Sequence, residues 1–252
     1  MIRFVCMLIA CSMGISLAAS PVTNDASQAG GKEVLKVEIT EGQIDVISGV
    51  VYSQTPSLRA NRALKMTLLI PRTKELKPAV VFYPGGGFTS AAHERYFEMR
   101  MALAKAGFVV AAAEYRVVPD KYPALVVDAK AAVRFLRAHA GELGIDASRI
   151  GVLGDSAGGY VAQMMGTTNG EKQFDQGDNL DQSSDVQAAV TIYGISNLMN
   201  IGEGYSKEIQ DIHASPAVTE ALLLYGPAFA DFAGKSISVS YTHLRAHETS
   251  QD

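Results

Sequence analysis

Cysteine is almost absent from this chain: Cys6 and Cys11 are the two it has, and both fall near the N-terminus. The stretch around them begins with Arg3, runs apolar from Phe4 to Ala10 and closes on Leu17, Ala18, Ala19 and Ser20, the layout of an export signal over residues 1–20. Cleavage near Ala18 or Ala19 leaves a chain without cysteine, so no disulfide is expected despite an oxidising periplasmic or extracellular destination. A second route stays open, because Leu8-Ile9-Ala10-Cys11 has the form of a bacterial lipoprotein box, in which Cys11 is lipidated and anchors the protein to a membrane. The apolar stretch itself falls short of the ~20 residues that a spanning helix needs. Runs of Lys and Arg are also missing, and the formal net charge is −4, which argues against a nucleic-acid partner and against a polybasic membrane surface. No residue cluster has metal-ligand spacing and no glycine loop matches a nucleotide fingerprint, so neither a metal nor a cofactor is expected.

What is present is a chain of 252 residues, 48% hydrophobic, long enough to bury one sizeable core. After the signal, residues 21–32 are rich in Ser, Ala, Gly, Asn and Asp without periodicity and read as a linker. One α/β domain is expected over residues 33–237. Its entry strands are Val34 to Ile39, Val46 to Tyr52 and Leu64 to Ile70, alternating or apolar between turn residues and antiparallel. Pro78 to Tyr83, Phe108 to Ala113, the run before Gly154, and Val186 to Gly194 are continuous apolar stretches of the kind buried in a parallel sheet. Between them lie a helix over Ala91 to Ala106 closed by Gly107, and a second helix from Pro123 with Leu125, Ala129, Ala132, Val133, Leu136 and Ala140 at helical spacing. Asp128, Lys130, Arg134 and Arg137 read as the solvated face of that second helix, and His139 at its end as a partner for the helix dipole. Asn169 to Asp185 reads as a surface loop.

Two glycine-rich stretches carry the chemistry. In Arg149 to Tyr160, RIGVLGDSAGGY, an apolar strand stops at Gly154 and a small-residue helix starts past Ser156. A sharp strand-to-helix turn needs missing side chains at Gly154 and Gly158, so this G-x-S-x-G pattern predicts a nucleophile elbow that projects the Ser156 hydroxyl. In Tyr83 to Phe88, YPGGGF, three glycines at a strand's carboxyl end leave backbone N–H groups to face an oxyanion. Ligand sites in a parallel sheet lie beyond the carboxyl ends of the strands, so Gly85 to Gly87 and Ser156 are predicted to meet at one rim. Taken alone, the first stretch is also consistent with a serine in an ordinary Gly-rich strand-to-helix turn, and the second with a flexible Gly-rich connector.

YPGGGF, the Glu114-Tyr115-Arg116 triplet, Pro123, Asp128 and GDSAGG at Gly154 to Gly159 together resemble the α/β-hydrolase family in its hormone-sensitive-lipase-like neighbourhood. The likeness is greatest to exported bacterial feruloyl or acetyl-xylan-type carbohydrate esterases, and it covers about Val34 to Gly194. It implies a three-layer α/β-hydrolase sandwich with a mainly parallel sheet. Ser156 would be the nucleophile, Gly86, Gly87 and the Ala157 amide the oxyanion hole, with Gly85, Gly154, Asp155 and Gly158 as support. The implied reaction is hydrolysis of a carboxylic ester through an acyl-enzyme, on a small-molecule or carbohydrate ester. Pro84 stands where many relatives have histidine, which places the chain nearer the carbohydrate-esterase branch than the lipases.

A Ser-His-acid triad of this family follows the order serine, acid, histidine, so both partners are expected after Gly194, on loops that follow further strands. Asn197 to Gly234 reads instead as a loop with a helix from about Pro216 to Tyr225, a cap segment within residues 195–235, and His213 there precedes any acid strand. Ser236 to Leu244 alternates as a half-exposed strand does. SVSYTHLRAHETS resembles translated sequencing-adaptor DNA, so residues 238–252 read as a non-native tail, with His243 and His247 inside it. The expectation is therefore a fragment, inactive as it stands, of a serine esterase whose last strands, acid and histidine are missing. The alternatives are a non-catalytic binding protein on a hydrolase scaffold and an exported serine peptidase.

Overall fold

The computed structural model describes residues 42–56, 61–198 and 201–224. The entry hairpin is β1 (Ile44–Thr55) and β2 (Arg62–Pro71), antiparallel with Ile44 opposite Pro71 and Thr55 opposite Arg62, and interrupted near Gly49. Next come β3 (Lys77–Tyr83), α1 (Phe97–Lys105), β4 (Val109–Ala113), α2 (Ala124–Ala138), the single turn α3 (Ala140–Leu143) and β5 (Ile145–Asp155). The chain continues through α4 (Ser156–Thr167), β6 (Ala188–Ile192), α5 (Lys207–His213) and α6 (Thr219–Leu224). The strands form one sheet in the order β1-β2-β4-β3-β5-β6, with β4, β3, β5 and β6 parallel and β1-β2 attached antiparallel to β4.

Strand periodicity sorts the core onto two faces. Val81, Tyr83, Val109, Ala111 and Ala113 point toward α2 and α4, where Leu125, Val126, Ala129, Val133, Val161 and Met165 close a large cluster. Phe82, Val110 and Ala112 point the other way, against Met99, Leu103 and Ala104 of α1. β3 and β4 are buried on both sides, which is why they read as unbroken apolar runs rather than alternating ones. Each fully buried Val, Leu or Phe among them contributes about 1.5–3 kcal/mol of transfer free energy.

Three expectations need correction. The helix expected from Ala91 begins only at Phe97. Residues 91–96 instead form a turn pinned from inside, with His93 Nδ1 2.7 Å from Thr67 Oγ1 and the buried Arg100 donating to the carbonyls of Glu94 (2.6 Å) and Arg95 (2.8 Å). The polar stripe of α2 does not face water: Asp128, Lys130 and Arg134 are all buried, and Arg137 donates to the carbonyls of Ala147 and Asp185. Arg116 meets Asp128, and residues 168–185 lie over Lys130, Arg134 and Arg137, so that their carbonyls, Ser184 and Asp175 replace solvent. Finally, β6 is exposed along almost its whole length and, among the described residues, lies at the edge of the sheet where a buried strand was expected. After β6 the structure adds α5 and, among the described residues, gives the helix expected from about Pro216 as α6 from Thr219. The signal 1–20, the linker 21–32, the strand at Val34 to Ile39, residues 225–235 of the cap and the 238–252 tail lie outside the described residues.

Candidate active site

β3 and β5 are parallel neighbours with Tyr83 opposite Gly154, so the two glycine-rich turns leave the sheet side by side. At the second turn Ser156 takes φ 51°, a left-handed conformation that is costly for a residue with a Cβ and is characteristic of functional turns. The glycines around it make the turn possible. A Cβ on Gly158 would lie 1.9 Å from the Tyr83 carbonyl oxygen, and one on Gly154 would lie 2.0 Å from the Gly158 carbonyl oxygen. α4 therefore starts in backbone contact with β3, with the Ala157 amide in its first turn, where no intrahelical acceptor is available.

The Pro84–Phe88 loop packs directly on the Gly154–Gly158 turn. A Cβ on Gly85 would meet Asp155 Oδ2 at 2.5 Å and the Ser156 Cβ at 3.0 Å. The Gly85 N–H donates to Asp155 Oδ1 at 2.8 Å, the Gly85 carbonyl accepts from Arg95 Nη1 at 2.7 Å, and the Pro84 carbonyl accepts from the Tyr115 hydroxyl at 2.6 Å. The Gly86 carbonyl accepts the N–H groups of Thr89 (3.0 Å) and Ser90 (3.1 Å), which curls the loop and commits that carbonyl internally. Gly87 (φ 57°) and Phe88 (φ 59°) continue it in left-handed backbone, and Phe88 anchors it by packing edge-on against Tyr160 of α4, ring centroids 5.7 Å apart.

Asp155 occupies the N-cap position of α4, yet its side chain does not cap the helix. One carboxylate oxygen takes the Gly85 N–H, and the other accepts from the Tyr96 hydroxyl at 3.1 Å; that hydroxyl also lies 3.3 Å from the Tyr193 hydroxyl. The hydrogen bond with Tyr193 and the charge of Asp155 push the Tyr96 phenol up to about 12. It is thus a protonated donor at any ordinary pH. Burial pushes the Tyr115 phenol up as well, which keeps it a donor toward Pro84.

The structure brings together the site residues expected from sequence: Gly85, Gly86 and Gly87 on one turn, Gly154, Asp155, Ser156, Ala157 and Gly158 on the other. It also accounts for the Glu114-Tyr115-Arg116 triplet. Glu114 Oε2 accepts the Lys65 N–H at 3.0 Å, Tyr115 reaches Pro84, and Arg116 forms a 2.8 Å ion pair with the buried Asp128. Arg95, Tyr96 and Tyr193 were not foreseen. Their signal in the sequence was weak, since all three lie in turns whose partners are distant in the chain.

The described histidines make their bonds elsewhere. His93 pairs with Thr67, and His139 stacks on Phe135 and lies 3.3 Å from Glu142. His213 Nδ1 lies 2.5 Å from Glu220 Oε1, joining α5 to α6. The first residue of α6, Thr219, places its Oγ1 4.0 Å from the Cβ position of Gly87, so α6 borders the Gly85–Gly87 turn. Among the described residues no group of three or more His, Cys, Asp or Glu could hold a metal ion, and no helix is long and apolar enough to cross a membrane.

Residues 66–242 match the model of the family described as BD-FAE. Carboxylesterase NlhH of Mycobacterium tuberculosis is 39% identical over 97 residues, covering 38% of this chain and 30% of that protein. The chain thus matches under a third of the length of this curated relative. Among solved structures, the acetyl ester-xyloside bifunctional hydrolase of Caldicellulosiruptor lactoaceticus superposes with TM-score 0.52 at 26% identity, over 68% of this chain and 62% of that one. Esterase 2 of Thermogutta terrifontis, in a form phosphorylated by paraoxon, superposes with TM-score 0.52 at 26% identity, over 76% of this chain and 66% of that one.

Proposed function

The chain belongs to the BD-FAE family, has the α/β-hydrolase fold, and on that premise we propose that it carries the nucleophile and oxyanion loop of an exported serine carboxylic-ester hydrolase acting on acyl esters of carbohydrates. The observation that carries this reading is the left-handed Ser156 at a strand-to-helix junction, in contact with the Gly85–Gly87 turn. In the proposed reaction the Ser156 Oγ attacks the ester carbonyl carbon while its proton passes to a histidine. The carbonyl oxygen becomes the oxyanion and accepts from the amides of Gly86, Gly87 and Ala157, each such donor being worth about 2.7–4 kcal/mol of barrier. Collapse expels the alcohol with the histidine's proton, leaving an acyl-enzyme, and water then repeats the sequence to release the acid. We place the histidine and its carboxylate outside the described residues, after β6 in the chain order this fold uses. The carbohydrate assignment is supported by the xyloside-acting neighbour and by Pro84 before the glycines.

The test uses the reading frame extended downstream to the length of its relatives. Wild-type protein is expected to hydrolyse p-nitrophenyl acetate and acetylated xylan and to form a single paraoxon adduct on the tryptic peptide holding Ser156. Ser156→Ala should lose both the adduct and all but about 10³–10⁴-fold residual catalysis over water. Unchanged turnover in that variant would remove Ser156 from the mechanism.

A further inference from the structure

Gly85 is tied to one short segment at both of its peptide groups, directly through Arg95 at its carbonyl and by way of Asp155 through Tyr96 at its N–H. Its carbonyl accepts from Arg95 Nη1 at 2.7 Å. Its N–H is taken by Asp155 Oδ1 at 2.8 Å, and the second oxygen of that carboxylate is occupied by the hydroxyl of Tyr96, the very next residue after Arg95. The Gly85 carbonyl and the Gly86 N–H share one peptide plane, so the setting of Gly85 orients the Gly86 amide, while the Gly87 amide follows through the Gly86 carbonyl held by Thr89 and Ser90. We propose that Tyr96, acting through Asp155, is a positioning residue that sets the oxyanion loop for catalysis; this rests on the serine-esterase reading above.

Tyr96 has the marks of a residue held in place for a purpose. It adopts φ 55° and ψ 39°, where a bulky side chain is disfavoured, at the start of α1. Its ring packs edge-on against Phe82, 5.8 Å between centroids, and the Arg95 guanidinium lies 5.4 Å from the ring centre, so the two donors of the clamp brace each other. Below them Arg100, almost fully buried, donates to the carbonyls of Glu94 and Arg95 and fixes the backbone of the segment. A carboxylate that accepts from two sides is oriented in both rotational senses. With Tyr96 reduced to a phenylalanine, Asp155 keeps its bond to Gly85 but loses the contact that stops it swinging. Tyr96 touches no reacting atom in this arrangement.

Hydrogen exchange followed by mass spectrometry on the 252-residue chain reads the clamp without any turnover. In Tyr96→Phe the amides of residues 85–88 are expected to exchange roughly tenfold faster, as loss of one charge-assisted hydrogen bond implies. The β3 and α4 amides should stay at wild-type rates. Asp155→Ala should reproduce that effect, and Asp155→Asn, which keeps an acceptor toward Gly85, should restore most of the protection. Wild-type exchange at residues 85–88 in Tyr96→Phe overturns the proposal. Should Asp155→Ala fail to fold, Tyr96→Phe alone decides, since it removes a single hydroxyl from a partly exposed ring. In the extended enzyme Tyr96→Phe should lower kcat roughly ten- to a hundredfold with KM unchanged, and an unchanged kcat also overturns the proposal. If Ser156→Ala leaves turnover intact, the esterase reading falls, whereas the exchange result still reports on the clamp by itself.

Discussion

At the scale of single residues the site is built from missing atoms as much as from present ones. Gly158 is the sharpest case: an added Cβ would meet the Tyr83 backbone at 1.9 Å, and backbone of a central strand cannot yield as a side-chain tip can. Gly158→Ala should therefore cost about 3 kcal/mol or more, read as a lowered denaturant midpoint. Gly141→Ala, on α3 with nothing within 4 Å of its Cβ position, should be neutral or stabilising by up to about 1 kcal/mol. Equal losses in the two variants would refute the close-approach argument. This requirement was legible in the sequence, because glycine spacing around Ser156 is a local signal. The double use of Asp155 was not. An aspartate before a serine at a helix start reads as an N-cap, and nothing local announces that its oxygens go to Gly85 and Tyr96 instead.

At the scale of elements the instructive case is α2, whose polar stripe the sequence assigns to solvent. Amphipathic spacing distinguishes a face that packs on the sheet from a face that does not, but it cannot say what covers the second face. Here the end of α4 at Thr168 and the unpatterned segment 169–185 cover its cations, which meet their oxygens. Lys130 Nζ donates to the Thr168 carbonyl at 2.8 Å and to Ser184 Oγ at 3.2 Å, while Arg134 Nη1 lies 2.6 Å from Asp175 Oδ1, with further bonds to the carbonyls of Gln176 and Asp178. Taking Arg134 away leaves Asp175 and two carbonyls facing a hole. Arg134→Ala is expected to destabilise by about 3–5 kcal/mol, the range for breaking a buried pair from one side. In a urea titration the midpoint should fall with an unchanged slope. A loss below about 1 kcal/mol would mean that the segment is held by its apolar contacts, such as the buried Phe174 against Tyr122, and not by the cation row.

At the scale of the whole molecule the order of the sheet carries the last consequence. Parallel strands are ordinarily covered on both faces, and β3, β4 and most of β5 obey that rule. β6 departs from it. Ala189 meets α4 through Gly166, whereas Val190, pointing to the opposite face with Ile192, is 53% exposed, and Tyr193 at the strand's end is 69% exposed. The fold class was readable from the alternation of apolar runs and helical spacing, but β6 was read as buried because its composition is that of a covered strand. Composition does not say what pairs with a strand, and among the described residues no strand pairs with β6 on its outer side. An apolar parallel edge of this kind offers unpaired N–H and C=O groups and a bare face to a second copy. The 252-residue chain should accordingly self-associate as its concentration rises, seen by light scattering coupled to size exclusion. Val190→Lys, which places a charge on the open face without touching the elbow, should shift the population toward monomer. A wild-type chain that stays monomeric and melts cooperatively at every concentration would show that β6 is covered in solution.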